Sequence, residues 1–114
     1  MKYMMLINLG PEARDWQSLP EDERNAVVAG WKALNETPGL TPGNQLQSPD
    51  TATTVRVQDG QTLTTDGPYV ETKEALDGYF LLEADDLDAA IAVAASVPAA
   101  SMGGAIEIRP IVEW

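Results

Sequence analysis

The sequence predicts a single α+β domain in which one antiparallel sheet is covered by two helices. Apolar runs near both ends of the chain and around residue 80 are typical of strands, and two segments show apolar residues at the three- and four-residue spacing of helices. A strong hairpin turn signal lies between them. The length of 114 residues suits one domain, and a hydrophobic content of 44% can supply one core. We therefore predict one domain spanning residues 1–114.

The first third of the chain is predicted to form a strand and a helix. Residues 2–9 are nearly all apolar, which favours a strand buried on both faces, and Gly10-Pro11 ends it. The segment 19–23 is typical of a helix start, because Pro20 lies in the first turn and acidic side chains lie at the positive end of the helix dipole. The apolar face of this helix is predicted to contain Val27, Trp31 and Leu34. The helix is predicted to end at Thr37-Pro38-Gly39.

The middle of the chain is predicted to form a connection and a β-hairpin. Residues 38–50 are rich in Pro and Gly, which indicates a connection with room for one short strand. Residues 53–57 alternate and are β-branched, Asp59-Gly60 is the hairpin turn signal, and residues 61–65 return as the second strand. Asp66-Gly67-Pro68 ends the hairpin.

The last third is predicted to form a strand, a helix and a strand. Residues 78–83 favour a buried strand, and Asp85-Asp86 favours the start of a helix that ends at Pro98. Residues 105–112 favour the final strand. The face of this helix toward the core is predicted to contain Leu87, Ile91, Ala94 and Val97. The order of elements is close to a split β-α-β pattern with a mid-chain hairpin insertion.

The composition excludes several classes of site. The chain has no cysteine, which excludes disulfides, thiolate nucleophiles and cysteine-based metal sites, and no histidine, which excludes a Ser-His-Asp triad within the chain. No nucleotide-binding glycine motif is present, so we predict no cofactor. The acidic cluster of Asp85, Asp86 and Asp88 lacks the spacing of a calcium-binding loop, and helix capping explains it, so we predict no metal site.

The charge of the chain disfavours two classes of partner. The net charge is −11, and residues 58–114 carry a net charge of −9 of this total. Such a surface repels phosphate backbones and anionic lipid, so we predict that the chain binds neither nucleic acid nor a membrane. The apolar run at residues 1–9 is too short for a signal peptide and lacks a small-residue cleavage site, so a cytoplasmic location is expected.

Residues 66–74 read Asp-Gly-Pro-Tyr-Val-Glu-Thr-Lys-Glu and resemble the signature of the DGPF branch of the YCII-related family, which is usually Asp-Gly-Pro-Phe, a small residue and Glu-Thr-Lys-Glu. Residues 2–4, 52–56 and 107–110 also resemble the family, so the resemblance spans nearly the whole chain. It implies a ferredoxin-like fold, dimerisation into a shared α/β barrel and a polar cleft near the dimer seam. Family members are often encoded beside sigma factors, which implies a regulatory protein partner.

The sequence departs from the family at two points. Tyr69 stands where Phe is usual and adds a hydroxyl that needs a hydrogen-bond partner if buried. Some family members carry a His–Asp pair proposed as catalytic, and that role cannot be carried over to a chain without histidine.

Asp66 is the main candidate for a catalytic residue. It could act as a general base or ligand anchor beside Gly67, which would let a ligand approach closely, or it could be a turn residue that accepts backbone hydrogen bonds. Arg56 would hold a carboxylate if it faces inward and would be an ordinary exposed residue if it faces outward.

The remaining ligand-binding candidates are Tyr69, Glu71 and Lys73. Lys73 is one of only two basic residues after position 57, which makes it a candidate counter-ion for an anionic ligand, although a solvated loop explains the same charges. Trp16 lies in a polar loop, where either packing or a place at the entrance of a pocket would explain it.

Three functions are compatible with these observations. The first is a cytoplasmic homodimer that binds a small anionic ligand in a cleft near the dimer seam, with a regulatory role. The second is an enzyme that uses Asp66 as general acid or base on a small lactone-like or other anionic metabolite. The third is a structural dimer without a ligand.

Overall fold

The computed structural model describes residues 1–68 and 75–114. Within these residues the chain forms six strands and two α-helices, in the order β1 (Lys2–Leu9), α1 (Glu21–Asn35), β2 (Leu40–Gln45), β3 (Thr53–Gln58), β4 (Gln61–Asp66), β5 (Ala75–Glu83), α2 (Leu87–Ala95) and β6 (Ala105–Pro110). The short strand expected in the connection after α1 is β2. Short 3-10 turns occur at Trp16–Ser18, Pro49–Thr51 and Pro98–Ser101.

Four of the strands form one antiparallel sheet in the order β2-β5-β1-β6. The unit β1-α1-β2 is split by β5, and the unit β5-α2-β6 is split by β1, as the pairing of these strands shows. The predicted α+β class is therefore confirmed. A single chain does not test the dimeric α/β barrel, which stays a prediction.

The core lies between one face of this sheet and the two helices. Successive side chains of a strand point to opposite faces, and Tyr3, Met5 and Ile7 of β1 are buried. They contact the buried residues of β5, α1 and α2 in one cluster: Phe80, Leu82, Leu34, Ala90 and Ala94. Met4 and Leu6, on the other face of β1, are half-buried in the single chain, so the predicted burial of this strand on both faces depends on the dimer and stays a prediction. Both helices contact the same face of the sheet and leave the other uncovered.

Helix α2 differs in part from its prediction. Of the four residues predicted to face the core, Ala94 and Val97 are buried, whereas Leu87 and Ile91 remain 51% and 48% exposed, and Ala90 is buried in addition. Alanine has almost no side chain to hold the backbone away from the sheet, so the alanine stripe gives the closer packing. The helix begins as predicted, since the Asp86 side chain accepts a hydrogen bond from the Ala89 N–H at 2.8 Å.

Strands β3 and β4 form the predicted hairpin, which is a separate two-stranded sheet. Asp59 and Gly60 both have positive φ, 51° and 76°, as a two-residue turn of this hand requires. Thr54 is half-buried and the other hairpin residues are exposed. In the described part of the chain, neither helix has the length and apolar character needed to cross a membrane.

Candidate functional site

The predicted catalytic residue lies at an exposed corner. Asp66 is the last residue of β4, and Gly67 follows with a φ of 102°, a conformation that favours glycine. The Gly67 N–H donates to the Ala52 carbonyl at 2.8 Å, and the Thr54 hydroxyl donates to the Gly67 carbonyl at 2.8 Å. These bonds fix the corner to the start of β3, as a turn requires.

Arg56 does not lie beside Asp66. Arg56 is opposite Leu63 in the hairpin, whereas Asp66 is opposite Thr53. Because residues alternate between faces along a strand, Arg56 and Asp66 project from opposite faces of the hairpin, and the three-residue offset separates them by about 10 Å along the strand. The other predicted ligand-binding residues, Tyr69, Glu71 and Lys73, lie outside the described residues.

A cleft of about 760 Å³ lies between α1 and one end of the main sheet, and none of its lining residues belongs to β3 or β4. This volume is within the usual range for small-molecule sites. The sheet contributes Ile7 and Phe80, both buried core residues, and α1 contributes Val27, Trp31 and Leu34. Pro98, Ala99 and Met102 line the side toward β6. Most of the lining is therefore apolar.

The rim of the cleft on the β2 side is shaped by a β-bulge. Pro42 and Gly43 of β2 face the single residue Phe80 of β5, because the pairing resumes only at Asn44 and Tyr79. A Cβ atom on Gly43 would collide with the Tyr79 carbonyl oxygen, so only glycine lets the two strands approach here. The Asn44 side-chain amide donates to the Tyr79 hydroxyl at 2.9 Å, which holds the rim together.

A second bulge places an acidic residue in the lining. Ile7 pairs with Gly78 and Asn8 pairs with Leu76, so Asp77 is the extra residue of β5. Its carbonyl accepts the Leu46 N–H at 2.6 Å. Desolvation by burial raises the pKa of the Asp77 carboxyl above its ordinary value of 3.8. This carboxyl therefore keeps its proton to a higher pH than an exposed aspartate does.

Arg14 supplies a positive charge to the lining. Its guanidinium lies 2.7 Å from the Glu23 carboxylate, and the two side chains are 52% and 45% exposed. An ion pair this exposed contributes little to stability, so Arg14 can exchange Glu23 for another carboxylate at low cost. The backbone N–H of Arg14 donates a hydrogen bond to the Met102 carbonyl at 2.9 Å, which fixes the loop at the cleft.

The structure places Trp16 in the lining, in agreement with one of the two roles considered for it. Sequence reasoning missed Arg14 and Asp77. The bulge at Asp77 leaves no mark in the sequence pattern, and Arg14 lies in a polar loop that gave no signal except the neighbouring Trp16. Residues 1–68 and 75–114 contain no group of three or more His, Cys, Asp or Glu placed to hold a metal ion.

Comparison with known proteins gives one family match and one relative. The model of the YCII-related domain matches residues 1–114. An uncharacterized protein of Rhizobium meliloti (strain 1021) is 35% identical over 97 residues, which cover 82% of this chain and 78% of that protein. Similarity at this level over most of both chains is consistent with the family match. The chain therefore belongs to the family of YCII-related domains.

Proposed function

We propose that this chain is a small-molecule-binding domain whose ligand occupies the cleft between α1 and the sheet. The ligand has an apolar, ring-sized body and one anionic group. The observation that supports this most directly is the position of Arg14 in an otherwise largely apolar lining that also contains Trp16 and Trp31. An apolar pocket with a few polar groups is the usual form of a small-molecule site.

The charges in the cleft support an anionic ligand. Within residues 1–68 and 75–114, Arg14 is the basic residue of the lining, and its guanidinium can bind a carboxylate through two hydrogen bonds. Asp77 is the acidic residue among the described lining residues, and its raised pKa reduces the negative charge that would oppose an anion. The cleft thus repels an anion less than the chain as a whole does, since the net charge of the chain is −11.

The test is a titration with 2-naphthoate, an aromatic carboxylate, followed by the quenching of tryptophan fluorescence. Arg14→Gln should weaken binding at least tenfold, or about 1.4 kcal/mol, because it removes a charge-assisted hydrogen bond. Lys32→Gln is the matched control, since it removes the same charge from an exposed position of α1 outside the lining. Wild type and Arg14→Gln should both bind the neutral analogue 2-naphthamide more weakly than wild type binds 2-naphthoate.

Two outcomes would contradict the proposal. Equal affinity of wild type and Arg14→Gln for 2-naphthoate would remove Arg14 from the site. Failure of a broader series of aromatic and alicyclic carboxylates to bind wild type would remove the cleft as an anion site.

The proposal extends to assembly and cellular setting. We propose a cytoplasmic homodimer of the DGPF branch, supported by the motif at residues 66–74 and by the uncovered face of the sheet. A regulatory protein partner is supported only by the resemblance stated above. Neither nucleic acid nor membrane is part of the proposal, because the chain is strongly acidic.

An enzyme acting through Asp66 on a lactone-like or other anionic metabolite is the alternative. Its support is the position of Asp66 at a strand end beside a corner held by hydrogen bonds. Turnover that is abolished by Asp66→Asn and kept by Arg14→Gln would favour this alternative over the cleft.

A further inference from the structure

The folded chain exposes more surface than a compact domain of its mass. Its accessible surface is 8196 Å² for a mass of 12.3 kDa, whereas a folded monomer of this mass exposes about 6,100 Å². Its radius of gyration is 16.3 Å, compared with about 13 Å for a compact domain of this length. An excess of about 2,000 Å² is thus unburied in the single chain.

Part of this excess lies on the hairpin of β3 and β4. Val55 and Val57 are 57% and 68% exposed, and Leu63 is 42% exposed. The backbone of each hairpin strand pairs with the other and not with the main sheet. A two-stranded hairpin with no apolar face buried is marginally stable in water. The hairpin therefore needs a surface to lie against.

The two faces of the hairpin differ in chemistry. One face, which we call the valine face, consists of Thr53, Val55, Val57, Thr62 and Thr64, with Asp66 at its base. It is β-branched and uncharged over most of its length. The opposite face contains Leu63 among the polar residues Arg56, Gln58 and Gln61. The valine face is the better candidate for burial, because covering Val55 and Val57 and the threonines opposite them removes no charge from water.

We infer that the valine face of each hairpin lies against a second copy of this chain, an inference that rests on the proposed homodimer. Obligate homodimers bury about 2,000–5,000 Å² in total, or half that per chain. The excess surface of this chain is of that size. A two-fold axis would let each protomer bury its own hairpin and accept that of its partner.

The charges of the uncovered sheet face favour a second copy over a basic partner. That face contains Lys2 and Glu83 on paired positions, and Arg109 bound to Glu107 at 2.7 Å. It is locally neutral although the chain has a net charge of −11. Two acidic copies can meet on such a surface without placing like charges opposite each other, whereas a basic partner would find no net attraction there.

The experiment compares wild type, Val57→Asp and Gln58→Asp by sedimentation equilibrium. The two positions are neighbours in β3, both are exposed, and they project from opposite faces, so each variant places the same new charge on a different face. Wild type and Gln58→Asp should be dimers, and Val57→Asp should dissociate at least tenfold more readily. Val55→Asp should behave like Val57→Asp.

The outcomes separate this inference from the proposals on which it rests. A monomeric wild type would overturn both the homodimer and the hairpin contact, and a dimer unchanged by Val57→Asp would overturn the hairpin contact alone. Equal weakening of the dimer by Val57→Asp and Gln58→Asp would also overturn the hairpin contact, because a charge on the valine face would then have no greater effect than a charge on the opposite face. Naphthoate binding by monomeric Val57→Asp would test the cleft separately. Far-UV circular dichroism of each variant checks that the chain is folded.

Discussion

The acid–base behaviour of Asp77 depends on a bulge in the backbone of β5. The bulge in β5 takes Asp77 out of the regular pairing and sets it in the lining of the cleft. Partial burial then disfavours its charged form, which raises its pKa above 3.8. The folded chain consequently binds this proton more tightly than the unfolded chain, so ionisation of Asp77 lowers the stability of the fold as pH rises through the folded-state pKa.

We therefore predict that Asp77→Asn is more stable than wild type at pH 7, because asparagine cannot ionise. The difference should shrink as the pH is lowered to below 3.8, where Asp77 is protonated in both the folded and the unfolded chain. Thermal unfolding over a series of pH values measures this. The control is Glu113→Gln, which removes a charge from an exposed position and should show no such pH-dependent gain. Lower stability of Asp77→Asn at pH 7 would contradict the prediction.

Helix α2 depends on its ends because it has only nine residues. Helices this short are not stable alone and are held by packing and capping. Asp86 accepts a hydrogen bond from the Ala89 N–H and lies at the positive end of the helix dipole. The last turn contains no basic residue, so the N-terminal cap is the stronger of the two ends.

Asp86→Ala should lower the free energy of unfolding by about 1 kcal/mol and the melting temperature by about 4 °C. Asp85→Ala, at the neighbouring exposed position, should change stability by less than about half of that. Thermal or urea unfolding of the two variants beside wild type makes the comparison. Equal effects would mean that the loss of negative charge, and not the cap, is responsible.

Elements with a strong local pattern could be predicted from the sequence, and those set by long-range packing could not. The Asp59-Gly60 turn and the Asp86 cap need only local residues, and both are confirmed. In α2 the prediction was right for Ala94 and Val97 and wrong for Leu87 and Ile91, because close approach of small residues turned the helix so that Ala90 is buried instead. The cleft could not be predicted, since its lining joins residues distant in the sequence, including Arg14, Trp31 and Asp77.

At the scale of the whole molecule, the shape favours association of two copies of the chain and the net charge disfavours it. The chain has a thin outline, with principal extents of 52, 41 and 18 Å, and the shortest of these fits one sheet and one layer of helices. This shape exposes apolar surface that favours association. The net charge of −11 per chain opposes association of two copies through like-charge repulsion.

Salt should therefore strengthen the proposed dimer. Raising the ionic strength from about 0.01 M to about 0.15 M shortens the Debye length from about 30 Å to about 8 Å, which screens repulsion between the two chains. The apolar contacts of the interface are little affected over this range. Sedimentation equilibrium of wild type at the two ionic strengths should show a lower dissociation constant at the higher one. A weaker dimer at higher salt would indicate an interface held by ion pairs instead.

The bulge at Pro42-Gly43 has a consequence for how copies of this protein can aggregate. Strand β2 is an edge of the main sheet, and an unprotected edge can template an incoming strand from another molecule. Pro42 has no N–H to offer such a strand, and the bulge breaks the regular ladder beside it. An open-ended ribbon of sheets needs two receptive edges on every molecule. The same local irregularity that shapes the rim of the cleft thus limits edge-to-edge growth of the main sheet into fibrils.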